Sequence, residues 1–485
     1  MKKHEKLVID LQSLIQSAPY KAGEPFLSIR EVASMYQVGI NTAYKALQAL
    51  EDLGVIFAEQ KSGYVICNSK ASIHSSTGVF SFSGDQELTH RATIIRRWAE
   101  NSKQAKVRMD LATGEPELYP TRDLQAVSYK VIRSNPTVLT KYALGSGLFE
   151  LRKKIASRYS KLGCHLKAED ILMTNGATHA ITLALQSTTT AGDCVLVESP
   201  TYFGFLQILE SLKLNVVSIA IDPNQGLEHE HLVSAIEKSK AENITIKACL
   251  LQANFQNPTG CSIKFSMRSK ILETFYQNKI IVIEDDTFGE LPHDLLDDRP
   301  LPLKAQDKYD NVILCSSLSK LISPGLRIGF INGAAVHEQI KTLHHATSIG
   351  CAELTQQIIS QIYPRKFNNI LSTLRSIYNE NSNAVRILIL KYFPSGTSAS
   401  FFQGGYLLWV TLPGMIDTNR LFDAALVKYG ISFAPGSIFS LKQKHQNALR
   451  INCSSFGKAF NEKDIKNLGA LAHSFLTLNG TNLNQ

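Results

Sequence analysis

Five short, almost wholly apolar runs, Cys194–Val197, Val216–Ile219, Ala248–Leu251, Ile280–Ile283 and Val312–Cys315, recur along the middle of the chain, separated mostly by stretches of helical pattern. Short runs without a polar face read as strands buried on both sides, and strands that alternate with helices build a mostly parallel sheet covered by helices. The centre of the chain is therefore expected to be α/β. A length of 485 residues, 44% of them hydrophobic, leaves room for further domains or lobes of roughly 150 residues each.

The first 67 residues have a different pattern. Leu7, Leu11, Leu14 and Ile15 share one helical face, and the segment stops before Pro19 and Gly23. A second helix is predicted from Leu27–Ser28 to Met35, with Ser28 as N-cap and Glu31 completing a capping box. A third runs from Asn41 to Leu53, with Ala43, Ala46, Leu47 and Leu50 on one face, and ends at Gly54. Two strands, Val55–Glu59 and Gly63–Cys67, flank a turn at Gln60–Ser62. Three helices and a two-stranded wing make a winged helix-turn-helix over residues 1–67. Residues 68–90 are rich in Ser and Gly and read as a linker, with helical character resuming near Arg91–Glu100. The remainder, 91–485, reads as one α/β domain.

Charge does little to choose a partner. The formal net charge is +9, yet acidic and basic side chains nearly balance over residues 1–70, so a DNA argument rests on pattern. Eight cysteines lack metal-type spacing, which points to free thiols in a reducing cytoplasm and to no metal site. The basic N-terminus has no apolar run or cleavage site of a signal peptide, and no stretch is long and apolar enough to span a membrane.

Chemistry concentrates in Ser316–Phe330, SSLSKLISPGLRIGF. Lys320 stands between the hydroxyls of Ser316, Ser317 and Ser319 and a Pro324–Gly325 turn that delivers Arg327. An amine that can be attached to an aldehyde, beside hydroxyls and a guanidinium suited to phosphate oxygens, reads as the anchor of a pyridoxal phosphate site. S-x-S-K-x-x-x-P-G-L-R-x-G resembles the lysine segment of fold-type I pyridoxal phosphate enzymes, the aspartate aminotransferase superfamily. Together with the N-terminal segment, residues 4 to 475 look like a MocR-type member of the GntR regulators.

That resemblance implies a smaller α+β lobe mainly at about 365–480 and a role for each matching residue. Lys320 carries pyridoxal 5'-phosphate. Thr174–Ala180 opens a helix whose N–H groups at Ala177 and Thr178 face the phosphate, with Ser317, Ser319 and Arg327. Tyr202 stacks on the ring, Asn257 of N-P-T-G donates to the phenolic oxygen, and Asp285 faces the pyridine nitrogen. Gly114 and Arg450 lie at the α-carboxylate of a substrate or effector. Tyr142 reaches the phosphate of a neighbouring subunit, which implies a homodimer. Among DNA contacts, Ser28, Arg30, Asn41 and Thr42 meet phosphates or base edges, and Gly63 lets the wing approach the minor groove.

Two positions depart from the family. Ile40 stands where an arginine usually opens the recognition helix, and it offers only apolar contact, for example to a thymine methyl. Thr287 and Phe288 stand where a tyrosine usually donates to the phenolic oxygen, so one hydrogen bond to the cofactor is missing unless Thr287 substitutes. Two functions remain open at this point. One is a cytoplasmic regulator that binds a double-stranded operator and senses the cofactor or a small amino compound, with weak or no transaminase activity. The other is a working aminotransferase with an N-terminal docking module.

Overall fold

The computed structural model describes residues 7–8, 10–11, 14–15, 24–52, 56–59, 63–66, 79–80, 85–293, 299–363, 366–401, 403–414, 416–441 and 444–480. The chain divides into two compact units, Met1–Ser76 and Thr77–Gln485.

In the first unit, the helix expected over residues 4–17 is described at six positions, all helical, with Leu7 and Leu11 buried. The helices Ile29–Met35 and Ile40–Asp52 follow. Ser28 caps the first of them: its hydroxyl accepts from Glu31 N, and Glu31 Oε2 accepts from Ser28 N at 2.7 Å. Strands β1 (Pro25–Phe26), β2 (Ile56–Glu59) and β3 (Gly63–Ile66) form an antiparallel sheet in the order β1-β3-β2. The wing thus has one strand more than expected. Phe26 is buried in the common core while Pro25, which lacks a donor, stands on the outermost strand, where the ladder tolerates it. The expected turn Gln60–Ser62, the stop at Leu53–Gly54 and Cys67 lie outside the described residues.

The linker expected at 68–90 needs correction. Strand β4 (Val79–Phe80) pairs antiparallel with the edge of the large sheet, and a helix starts at Asp85 and runs to Ser102. Two residues are too few to show a period, but they cover backbone groups that an edge strand leaves unpaired. Residues 68–78 and 81–84 lie outside the described residues.

The second unit is built on β4, β6 (Ile171–Thr174), β7 (Cys194–Ser199), β8 (Asn215–Ala220), β9 (Ile246–Leu251), β10 (Ile281–Asp285), β11 (Val312–Ser317) and β12 (Gly329–Asn332), in the order β4-β8-β7-β9-β10-β11-β12-β6. The five expected strands, β7 to β11, are mutually parallel, while β12 is antiparallel to both its neighbours. Their uniform apolarity follows from covering on both faces. Along β7, Cys194 and Leu196 enter one core while Val195 and Val197 enter another, and β9 alternates in the same way.

The smaller lobe is a four-stranded antiparallel sheet of β13 (Ser398–Ala399), β14 (Leu407–Thr411), β16 (Ala434–Pro435) and β17 (Ala448–Asn452). It reaches beyond the expected 365–480. β5 (Val107–Arg108) pairs in parallel with β15 (Ile431–Ser432), and Ile95, Trp98 and Met109 enter its core. The indole of Trp98 donates to Phe433 O at 2.9 Å, a partner far away in sequence. The 26-residue helix Phe367–Tyr392 joins the lobes, placing Leu371, Leu374 and Tyr378 in one core and Val385 and Ile389 in the other. Among the described residues, no helix is long and apolar enough to cross a membrane.

Candidate cofactor site and recognition helix

The carboxyl ends of the parallel strands converge on one crevice, the place where open α/β sheets bind ligands. β10 ends on Asp285, β11 runs through Ser317 to Ser319 and Lys320, β9 is followed by Gln252, and β7 leads to Tyr202. These residues line a cavity of about 190 Å3 together with Ala112, Ala177, Thr178, Asn257, Thr287, Phe288 and Arg327.

Asp285 is buried, and both of its oxygens are held. Oδ2 accepts from Gln252 Nε2 at 3.0 Å, and Oδ1 accepts from Thr287 N at 3.1 Å and from the Thr287 hydroxyl. Burial pushes its carboxyl up to about 6, against the opposing pull of the Thr287 and Gln252 hydrogen bonds. The adjacent Asp286 points elsewhere, pairing with Arg299 at 2.6 Å and accepting from Tyr159 Oη. Gln252 also accepts from Asn257 N at 2.9 Å, so one amide fixes both the carboxylate and the N-P-T-G turn. Asn257 Oδ1 in turn accepts from Arg450 Nη1 at 3.0 Å, which leaves its Nδ2 as the donating end.

Lys320 Nζ donates to Ala112 O at 2.5 Å, and Tyr406 Oη donates to the same carbonyl at 2.8 Å. Burial, reinforced by Arg450 and Arg327, lowers the Lys320 amine to about 8. The other side of the cavity suits an anion. The helix Ala177–Thr188 begins at Gly176 with no side-chain cap, so its first N–H groups are unclaimed there. A Cβ on Gly176, at φ +86°, would lie 2.6 Å from Arg327 Nη2. The missing side chain makes room for the guanidinium, which donates to Ser319 Oγ at 3.5 Å, and Ser319 and Ser317 hydroxyls lie 2.8 Å apart.

Three expected residues lie apart from the cavity lining. Gly114 donates its N–H to Tyr119 Oη at 3.1 Å, and its Cβ direction is taken by Tyr378 Oη at 2.6 Å. Arg450 is buried behind Asn257, with Nη2 on Asp110 O and Nε without a partner. Tyr142 is 84% exposed. Of the two possibilities left open at Thr287, the structure disfavours substitution, because its hydroxyl is committed to Asp285. Phe288 lines the cavity with its ring edge-on to Tyr406 at 5.6 Å. Gln252, Ala112 and Tyr406 are the contributors that sequence reasoning missed. A polar residue immediately after a buried strand was the available signal for Gln252.

In the first unit, Arg30 and Asn41 are exposed, Ser28 and Thr42 half-buried. Gly63 has φ +99° with open space where a Cβ would stand, so its backbone conformation is what requires glycine there.

The model of the family "Aminotransferase class I and II" matches residues 106–465. Two Escherichia coli proteins, the uncharacterized HTH-type transcriptional regulators YdcR and YjiR, are 29% and 30% identical to the chain. These matches cover 97% of this chain and 99% of YdcR, and 94% of this chain and 95% of YjiR. The chain belongs to the class I and II aminotransferase family, as a MocR-type regulator. Among solved structures, the kynurenine aminotransferase of Pyrococcus horikoshii superposes with a TM-score of 0.73 at 23% identity, covering 82% of this chain and 97% of that one. The fold-type I architecture is thereby shared.

Pyridoxal phosphate is the cofactor of this MocR-type regulator, and the cavity fits it: a glycine-opened anion cradle, a lysine of lowered basicity and a buried carboxylate lie around one space. When bound, it supplies an electron-withdrawing ring that takes up the electron pair of a bond broken beside an amine.

Proposed function

We propose that the chain regulates transcription by binding a double-stranded operator through residues 1–67 and that its cofactor site serves as a sensor, with transamination slow or absent. The observation that carries this reading is the pairing, in one chain, of a helix that turns Ile40, Asn41, Tyr44, Lys45 and Gln48 outward and a Lys320–Asp285 cavity in which Thr287, beside the position of the family's tyrosine, spends its hydroxyl on Asp285. Lys320 attaches the cofactor. Asp285 holds the ring nitrogen protonated, Asn257 Nδ2 donates to the phenolic oxygen and Tyr202 covers the ring face. Ala177, Thr178, Ser317, Ser319 and Arg327 hold the phosphate, completed by Tyr142 of a second copy in a homodimer. A small amino compound is the effector, its carboxylate taken by Arg450 and met by the backbone near Gly114.

If an effector amine took the place of Lys320 on the cofactor, the lysine would be left beside the Ala112 carbonyl, which accepts from its Nζ in this structure. Since Ala112, Asp110 and Thr113 are bonded to Lys320, Arg450 and Asn452, one loop feels both the lysine and the smaller lobe. A ligand acts on DNA affinity only through such differences between free and bound states. Absence of a membrane-spanning helix among the described residues and free, buried thiols fit a cytoplasmic protein.

Borohydride reduction followed by peptide mapping tests the attachment, with label expected on Lys320. Operator affinity is then measured with and without cofactor and candidate amino acids, alongside steady-state transamination. Rapid multiple turnover with DNA affinity indifferent to every addition favours a working aminotransferase instead.

A further inference from the structure

The helix Ile40–Asp52 buries Ala43, Ala46, Leu47 and Leu50 and turns Ile40, Asn41, Tyr44, Lys45 and Gln48 outward. Two of those outward side chains are apolar or aromatic and stand one helical turn apart: Ile40 is 61% and Tyr44 45% exposed. The pair is set among polar groups at a helix start whose first turn carries no acidic residue. Asn41 precedes Thr42 on one side, and Lys45 follows Tyr44 on the other. A helix start without acidic residues beside a lysine suits a polyanion, and its amide and ammonium donors suit base edges and phosphates.

An isoleucine makes no hydrogen bond, so it distinguishes base pairs only by apolar contact. In the major groove, one base edge alone presents an apolar group, the 5-methyl of thymine; guanine, cytosine and adenine present donors and acceptors. We propose that Ile40, flanked by Tyr44, reads a thymine methyl, so that each half-site carries a thymine opposite the start of this helix. The proposal rests on the DNA-binding reading above and goes beyond it by naming the chemical group that selects the operator. Asn41, with a carboxamide able to pair with an adenine edge, extends the preference to an A·T-rich core.

The test uses full-length, cofactor-loaded protein. Duplexes are selected from a random library, and the enriched sequence is resynthesised with deoxyuridine replacing thymine at one position at a time, which removes only the methyl group. Binding by the parent protein is expected to weaken about fourfold at one thymine of each half-site, the factor for burying one methyl-sized apolar group. Ile40→Ala, which removes the contact in both half-sites at once, should bind the unmodified duplex more weakly by roughly fourfold for each half-site and become indifferent to the deoxyuridine. Ile40→Val should keep the dependence. Ile40 is exposed, so thermal melting of these variants is expected to match the parent and to exclude misfolding as the cause.

A deoxyuridine scan without effect, an equal effect in Ile40→Ala, or an enriched site lacking thymine overturns the assignment while leaving DNA binding intact. Failure to enrich any duplex overturns the DNA-binding reading itself and leaves the apolar pair to a protein partner.

Discussion

Lys320 and Asp285 are both shifted toward their neutral forms because the cavity withdraws them from water, and the two shifts have different consequences. The folded amine releases its proton near pH 8, against an ordinary value of 10.5. Between these values the unfolded chain binds the proton and the folded chain does not, so the stability of the cofactor-free protein rises with pH through that window. The neutral amine is also the form that attaches an aldehyde. The rate of pyridoxal phosphate attachment to cofactor-free protein, followed by absorbance, is expected to rise about tenfold from pH 7 to pH 9 with a midpoint near 8. A midpoint near 10 would show that burial does not control this lysine. Gly114 supplies a second residue-scale prediction. A methyl group there meets Tyr378 Oη at 2.6 Å, on a ring locked in the core, so Gly114→Ala should destabilise by about 1–3 kcal/mol. The Tyr378 hydroxyl is buried without a partner, so Tyr378→Phe should be close to neutral alone and should recover part of that loss in the double variant. Denaturant melts of the four proteins decide it, and additive losses would refute the clash.

At the scale of elements, the helix Ala177–Thr188 matters through the residue before it. Gly176 leaves the helix start uncapped and its own side-chain space to Arg327. Gly176→Ala forces an L side chain to φ +86° and displaces the guanidinium, so cofactor retention on dialysis should fall at least about tenfold, with a stability loss of about 1 kcal/mol. Unchanged retention would mean that the cradle is not the phosphate site. Boundaries at this scale were legible wherever the signal was local. The capping box at Ser28 and Glu31 appears as expected, and the helix expected to open within Thr174–Ala180 begins at Ala177. Strands β1, β4 and β5 were not legible, because pairs of residues carry no period and exist only through the partners β3, β8 and β15.

For the whole molecule, the two units are expected to act through one DNA-binding equilibrium. Arg30 is exposed beside the capped helix start, and if it neutralises one phosphate, Arg30→Ala should weaken operator binding and lower the slope of log K against log salt by roughly 0.9. Equal affinity and slope across a salt titration would remove Arg30 from the interface.

What the sequence determined by itself was everything encoded in short-range pattern and residue chemistry: two architectures in one chain, an α/β sheet with its five central strands, and a lysine, a carboxylate, serine hydroxyls and an arginine in one family's order. Their side chains come from separate strands, yet each sits next to a recognisable local signal. Only the tertiary structure decided that Asp286 pairs with Arg299, that the Thr287 hydroxyl is spent on Asp285, and that Gln252, Ala112 and Tyr406 belong to the site. Those outcomes depend on which buried polar groups find partners across long sequence separations. A buried donor or acceptor must be satisfied somewhere, and the packed fold chooses where.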